Sequence, residues 1–282
     1  MQHVTTIAQW RGFAESTRHT GRRVGLVPTM GALHAGHRSL VQRALDDDTV
    51  PLLTIFVNPR QFNDAADLAS YPSQLDEDLE RCREWGVAAV ATPSVAEMWP
   101  GYPATTATTV HVTGVTENYE GAGRPGHFDG VASVVTKIFA ITGVATAYFG
   151  EKDFQQLAMV RQLNDDLGLG LEIVGCPIVR EHSGLALSSR NMRLTPAGRE
   201  RALVLSRAVT WAAATSRTVH EVETEVTEMI TRAGGDVAYA NVVTNDTVVP
   251  FVGAGSARLL IAAHFDGVRL LDNGPVVVRE GM

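Results

Sequence analysis

Two histidines three positions apart, His34 and His37, lie in a stretch from Val24 to Leu45 that reads as strand, tight turn and helix. Val24, Leu26 and Val27 form a short apolar run that Pro28 ends, and from His37 onward Leu40, Val41, Ala44 and Leu45 recur at helical spacing. The turn between them carries Gly31 and Gly36, which let backbone approach a ligand closely. The helix that follows aims its first N–H groups and its positive dipole end at the same place. Phosphate is the ligand this arrangement suits, and both imidazoles can donate to it. A zinc site is the weaker reading, because neither a His-Glu-x-x-His pattern nor a nearby cysteine cluster accompanies the pair. Taken singly, either histidine reads equally well as a helix cap.

Two further groups have side chains fit for the same chemistry, and a third stretch is noted as a loop. Gly150-Glu151-Lys152-Asp153 is a second strand-to-helix turn, and Lys152 and Gln156 are four positions apart on the helix that follows, hence on one face. Asp153 and Gln156 also have capping-box spacing, so Gln156 reads as well as a helix cap. Leu187-Ser188-Ser189-Arg190 places two hydroxyls and a guanidinium on a loop, a set able to bind phosphate but common among proteins. Arg60, Gln61 and Phe62 occupy a loop after Asn58-Pro59.

The elements that must position these groups alternate. After Val24–Val27 and its helix come strand 52–57, helix 73–85 with Ser73 and Asp76 as a capping box, and strand 87–91. Residues 93–130 are irregular and rich in Thr, Gly and Pro, a length of connection more often functional than idle. Helix 131–141, strand 145–149, helix 153–167 and strand 171–174 follow. The expected fold is α/β: a Rossmann-like parallel sheet forming a nucleotide-binding domain over residues 1–177, with ligands at the carboxyl ends of its strands. Residues 178–282 are expected to form a smaller α+β C-terminal domain carrying the Ser-Ser-Arg loop. Its expected elements are a helix from Thr195-Pro196 to about Ser216, a helix from the Thr218/Glu221 capping box to Arg232, and strands 238–243, 258–263 and 268–271.

The whole chain sets outer bounds. Its 282 residues, 45% hydrophobic, fit about two globular domains. A formal charge of −7, from 31 acidic and 24 basic residues, gives no overall attraction to nucleic acid. Cys82 and Cys176 are its two cysteines, and the N-terminus lacks the basic-then-apolar layout of a signal peptide, which points to the cytoplasm. The longest apolar stretch, 131–150, contains Lys137, Gly143 and several threonines and reads as helix then strand, so no membrane span is expected.

His-x-Gly-His in a strand-to-helix turn resembles the signature of the class I aminoacyl-tRNA synthetase and nucleotidyltransferase superfamily, in which the turn holds ATP phosphates. Five motifs in order narrow the resemblance. Pro28-Thr-Met-Gly-x-x-His-x-Gly-His37, Ile55-Phe-Val-Asn58-Pro-x-Gln61-Phe, Arg124-Pro-Gly-His-Phe-x-Gly-Val131, Phe149-Gly-Glu-Lys-Asp153-x-Gln-Gln-Leu157 and Leu187-Ser-Ser-Arg-Asn191, with Leu271-Asp-Asn273 near the end, closely resemble the pantothenate synthetase (pantoate–β-alanine ligase) family. The resemblance implies condensation of pantoate with β-alanine through an enzyme-bound pantoyl adenylate, releasing pyrophosphate and then AMP. It implies ATP contacts from Met30, Gly31, Ala32, Leu33, His34, Ala35, Gly36 and His37, from Gly150, Glu151, Lys152 and Asp153, and from Val179, Leu187, Ser188, Ser189 and Arg190. Gln61 and Gln156 are implied to hydrogen-bond pantoate, and His34, His37, Lys152 and Arg190 to act in catalysis. Mg²⁺ on the phosphates and a homodimer are implied as well.

The chemistry of these residues agrees with that reaction. A substrate carboxylate supplies the nucleophile, so the protein must align the reactants and place cationic donors around developing phosphate charge. The magnesium ligand stays open; Asp76, Glu77 and Asp78 are candidates, although carboxylates are expected in a helix's first turn. The family usually has Met where Leu187 stands, a volume-conserving exchange. Arg124 and His127 have no assigned chemistry. A plain adenylyltransferase would share the histidine turn but has no use for the two glutamines, and an ATP-binding regulatory module without turnover has no use for Lys152 together with the Ser188–Arg190 loop.

Overall fold

The computed structural model describes residues 1–104 and 108–281. Residues 105–107, within the stretch read as irregular, and residue 282 lie outside them. The chain divides into two compact units, residues 1–151 with 159–177, and residues 152–158 with 178–281.

The first unit contains β1 (Gln2–Val4), α1 (Ile7–His19), β2 (Val24–Thr29), α2 (Ala35–Asp46), β3 (Val50–Ile55), α3 (Ala65–Ala69), α4 (Leu75–Glu84), β4 (Ala89–Ala91), α5 (Val95–Met98), α6 (Glu120–Gly123), α7 (His127–Thr142) and β5 (Thr146–Gly150). The division falls within α8 (Phe154–Asp166), after which β6 (Glu172–Cys176) completes the sheet. All pairings are parallel, in the order β1-β4-β3-β2-β5-β6. The chain builds outward from β2 through β3 and β4 on one side, then resumes at β5 on the other. The strand order therefore reverses between β2 and β5, where open α/β sheets bind ligands beyond the strand ends. β2 is buried along Val24–Val27, as a strand flanked on both sides and covered on both faces must be. A Cβ at Gly25 would lie 2.1 Å from Thr49 Oγ1, so a larger residue could not pack there.

Several boundaries differ from expectation, each for a local reason. Pro28 does not end β2 but lies within it, opposite Thr54. Thr29 turns its amide to Thr54 Oγ1 and its carbonyl to the Phe56 amide, both on the β3 side. Alternation then points the Pro28 nitrogen toward β5, where pairing is registered only at Gly25 and Leu26, so no ladder bond is lost. The Ser73/Asp76 capping box is not formed: Gln74 holds the cap position without a side-chain cap bond, and its Nε2 donates to Asp78. Strand β4 is shorter than expected. Helix α7 begins at His127, ahead of the apolar run that marked its start, because Gly126 supplies a left-handed residue (φ 78°) that turns the chain into it. β1, α1, the short helices α3, α5 and α6 and a later two-residue strand escaped the sequence reading.

The second unit carries α9 (Pro196–Ala202), α10 (Val204–Ala213), β7 (Ser216–Arg217), α11 (Val219–Arg232), β8 (Asp236–Val243), β9 (Gly255–Phe265) and β10 (Val268–Val278). The sheet order is β7-β10-β9-β8, antiparallel except for β7 beside β10. The single helix expected from Thr195 is two: at Leu203 the amide bonds to Glu200, three residues back, and the α-helical ladder is interrupted. The Thr218/Glu221 capping box is present as expected, with both reciprocal bonds made. Leu205, Val209, Val222, Val226 and Ile230 from the helices pack with Leu259, Ile261, Phe265 and Leu270 from the sheet as the core of this unit. Among the described residues, no helix is long and apolar enough to cross a membrane.

Candidate active site

The turn after β2 is organised by the two histidines. His34 is the N-cap of α2 and its Nδ1 accepts from the Gly36 amide at 3.1 Å; His37, one turn on, accepts from the His34 amide through its own Nδ1 at 3.2 Å. The rings lie 4.1 Å apart between centroids. A nitrogen that accepts from an amide carries no proton, so each neutral imidazole bears its hydrogen on Nε2. The capping and phosphate readings are therefore compatible, since Nδ1 serves the backbone and Nε2–H is the nitrogen that can donate.

The backbone ahead of this cap is bent. Gly31 has φ 86° and Ala32 has φ 50°, the latter unfavourable for a residue with a side chain. Two residues of α4 hold it there. Asp78, whose side chain is 1% exposed, accepts from the amides of Ala32 and Leu33, each at 2.8 Å, and Arg81 Nη1 donates to the Leu33 carbonyl at 2.6 Å. Both Asp78 oxygens thus serve the turn. Asp76 is exposed and Glu77 pairs with Arg81 at 3.5 Å. Among the described residues there is no group of three His, Cys, Asp or Glu side chains placed to hold a metal ion.

Gln61, expected in a loop, closes a short 3₁₀ turn, Pro59–Gln61, that follows β3 and is capped by Asn58. The residue is 8% exposed, its side chain bonded to Asn58 and directed at the Met30 sulfur. Its backbone is held too. His127 Nε2 accepts from Arg124 Nη1, so its Nδ1 carries the proton and donates to the Gln61 carbonyl at 2.8 Å. Arg124 and His127 thus acquire a role that the sequence left open. Gly130 lies so close that a Cβ would be 2.3 Å from the Arg60 carbonyl.

Gly150 ends β5, next to β2 in the sheet, and Glu151 opens a 3₁₀ turn running to Asp153. The helix therefore starts at Phe154, one residue later than expected, with Gln156 in its first turn. Among the described residues the Gln156 side chain makes no hydrogen bond, so it is not a cap.

In the second unit, Lys152 is 18% exposed and lies 3.6 Å from Asp153. Its carbonyl accepts from Asn273 Nδ2 at 3.0 Å, and Asn273 Oδ1 in turn accepts from Arg258, which stacks on Phe154. The neighbouring Asp272, buried, forms a two-pronged pair with Arg180 at 2.6 and 2.8 Å, a hydrogen bond that raises the arginine's pKa further. Val179 then accepts from the Leu187 amide, leading into Ser188, whose hydroxyl caps a 3₁₀ turn, Ser189–Arg193, by accepting from the Arg190 amide. Asn191 and Arg199 brace this turn through Glu181. Burial acts to raise the Glu181 pKa, but the hydrogen bonds from Arg199 and Asn191 outweigh it and hold it below the ordinary value. The Leu271-Asp-Asn273 ending is therefore scaffold for Lys152 and for the serine loop.

A profile of the pantoate-beta-alanine ligase family matches residues 2–275. The chain belongs to this family. It is 48% identical to the pantothenate synthetase of Chelativorans sp. over 277 residues, covering 96% of each chain, and 46% identical to that of Paracoccus denitrificans, covering 98% of each. The pantothenate synthetase structure from Thermus thermophilus superposes with a TM-score of 0.88 at 40% identity, over 97% of this chain and 99% of that one. The pantoate-beta-alanine ligase structure from Francisella tularensis, complexed with beta-gamma ATP and beta-alanine, does so at 0.82 and 32% identity, over 97% of each. As a pantoate–β-alanine ligase, the chain carries out the ATP-dependent condensation of pantoate with β-alanine.

Within the ligase, the first unit brings together Met30 to His37, Gln61, Gly150 and Glu151 on neighbouring strand ends. The second unit gathers Lys152, Asp153, Gln156, Val179 and Leu187 to Arg190. Sequence reasoning missed the residues that hold them: Asp78 as the clamp of the turn, Asn58, Asp272 as the partner of Arg180, and Asn273 as the anchor of Lys152. Asn58, Asp272 and Asn273 stood within quoted motifs, but their partners are distant in the chain.

Proposed function

We propose a division of labour between these groups over two balanced steps. In the first, a pantoate carboxylate oxygen attacks the α-phosphorus of ATP; that P–O bond forms, the bond to the bridging oxygen of the β-phosphate breaks, and pyrophosphate leaves. The Nε2–H groups of His34 and His37, the start of α2, Lys152, Ser188, Ser189 and Arg190 meet the charge that grows on the phosphates. Gln61 and Gln156 hold pantoate. In the second step the free amine of β-alanine attacks the acyl carbon, the bond to the AMP oxygen breaks, and the amine gives up a proton as the amide forms.

One observation carries this reading: both histidines spend Nδ1 on backbone amides at the head of α2, which commits their protons to the donating nitrogen at a helix end that favours anions. Mg²⁺ is assigned to the nucleotide's own phosphates, its usual way of binding, with at most one or two carboxylates beside them. The family resemblance supports a homodimer and a cytoplasmic location. The proposed domain assignment gives nucleotide and pantoate binding to 1–177 and the serine loop to 178–282.

The test is a single assay. The protein is incubated with Mg-ATP and pantoate, with and without β-alanine, and pyrophosphate and AMP are followed separately. Release of AMP that depends on β-alanine is expected. Pyrophosphate exchange that does not require pantoate would overturn the adenylate order.

A further inference from the structure

Gln61 is surrounded by groups whose hydrogen-bonding polarity cannot change. Asn58, 1% exposed, lies beneath it. The Asn58 Oδ1 accepts from the indole Nε1–H of Trp99 at 3.0 Å and from the Arg60 amide at 3.3 Å; both are donors and nothing else. Its Nδ2 donates to the Gly130 carbonyl at 3.1 Å, a group that can only accept. Turning the Asn58 amide over would set donor against donor and acceptor against acceptor at three contacts. Its remaining Nδ2 hydrogen therefore points at Gln61, 3.0 Å away, and the Gln61 atom that receives it is the carbonyl oxygen Oε1. The Gln61 NH₂ is left at the other end, 3.1 Å from the Met30 sulfur, a weak acceptor that a substrate oxygen can readily supplement or displace.

We propose that Trp99 and Asn58 are positioning residues that determine which end of the Gln61 amide meets the substrate, so that Gln61 acts there as a hydrogen-bond donor and selects an oxygen lone pair. Two cations lie over the indole, the Arg60 guanidinium 4.6 Å and the Lys137 ammonium 5.0 Å from its ring, which helps hold its N–H on Asn58. Trp99 is itself 6% exposed and reaches the substrate only through this relay. The inference rests on the reading that Gln61 binds pantoate. It adds the polarity: the NH₂ end of Gln61 donates to a carboxylate or hydroxyl oxygen of the substrate.

The experiment compares Gln61→Ala, Gln61→Glu and Trp99→Phe with the unmodified enzyme, measuring KM for pantoate and for ATP from pH 5.5 to 8.5, with a melting curve for each. In Gln61→Glu, one carboxylate oxygen still receives Asn58 and the other presents only an acceptor. The expected result is a pantoate KM raised by about tenfold or more in alkaline buffer, with ATP KM unchanged, and partial recovery toward low pH as a carboxylic acid proton restores a donor. Gln61→Ala should raise the same KM without the pH-dependent recovery. If Gln61→Ala impairs pantoate use while Gln61→Glu does not, the amide presents its carbonyl and the proposed polarity is overturned. If Gln61→Ala leaves pantoate KM unchanged, the pantoate assignment fails instead. Trp99→Phe keeps an aromatic ring, smaller than the indole, and deletes the N–H; a several-fold rise in pantoate KM alone is expected, and an unchanged value removes Trp99 from the relay.

Discussion

Asp78 on α4 holds the backbone amide of Leu33 at 2.8 Å, and its other oxygen takes the amide of Ala32 at the same distance. A carboxylate that would pass, on sequence, for a helix-start acid or a magnesium ligand is thereby a clamp on the histidine turn. Replacing it with Ala leaves two buried N–H groups without their acceptor, a loss of about 2–4 kcal/mol of stability in urea unfolding. Asp78→Asn keeps one acceptor and should lose less. Half-saturation of pyrophosphate release by Mg²⁺ should be the same for Asp78→Asn and the unmodified enzyme; a large weakening would return Asp78 to the metal.

Separating capping from chemistry at His34 requires a residue that can cap without donating as an imidazole does. Asn is a good N-cap, so His34→Asn should melt within a few degrees of the unmodified enzyme while single-turnover pyrophosphate release slows markedly. His37→Ala should slow the same step, and externally supplied pantoyl adenylate should still react with β-alanine at close to the normal rate. Equal loss in both half-reactions would show that the histidines shape the site generally.

For Lys152, loss of a donor needed only as phosphate charge develops should cost about 3 kcal/mol, roughly 10² to 10³ in rate, with little change in melting. Asn273→Ala, which removes the bond to the Lys152 carbonyl, should reproduce a smaller part of that rate loss. An unchanged pyrophosphate burst in Lys152→Ala would make the lysine structural.

The Gln156 side chain makes no hydrogen bond among the described residues, so Gln156→Ala should leave the melting temperature in place and raise KM for pantoate. A lowered melting temperature with unaltered pantoate saturation would restore the capping role.

Burial pushes the Cys82 thiol up to about 12, the Cys176 thiol to about 11 and the Tyr148 hydroxyl to about 12. All three are acids whose charged form is disfavoured in the folded chain, so the unfolded chain releases their protons first as pH rises. Their contribution to stability is whole below the unfolded thiol value of about 9 and is lost between there and about 12. Urea midpoints should hold steady to about that point and then fall, and Cys82→Ala should flatten the fall. Thiol reagents at pH 8 should label both cysteines only on unfolding.

The sequence alone determined what depends on neighbours along the chain. The alternation of strand and helix, the glycine-marked turn before α2 and the Thr218/Glu221 box are written within windows of a few residues, where periodicity and capping act directly. The two histidines could be singled out as candidates in the same way, since their spacing puts both at one helix start. Boundaries were less legible where a distant partner intervenes. Pro28 stays inside β2 because of what β5 leaves unpaired, and α4 starts at a cap the local pattern did not favour. Which polar groups hold the candidate site residues was decided only by tertiary structure: Asp78 lies 46 residues from Ala32, Trp99 41 from Asn58, and Asn273 121 from Lys152. A hydrogen bond is set by distance and direction in space, and one sequence carries no record of which far-off donor the folded chain will bring to a given acceptor.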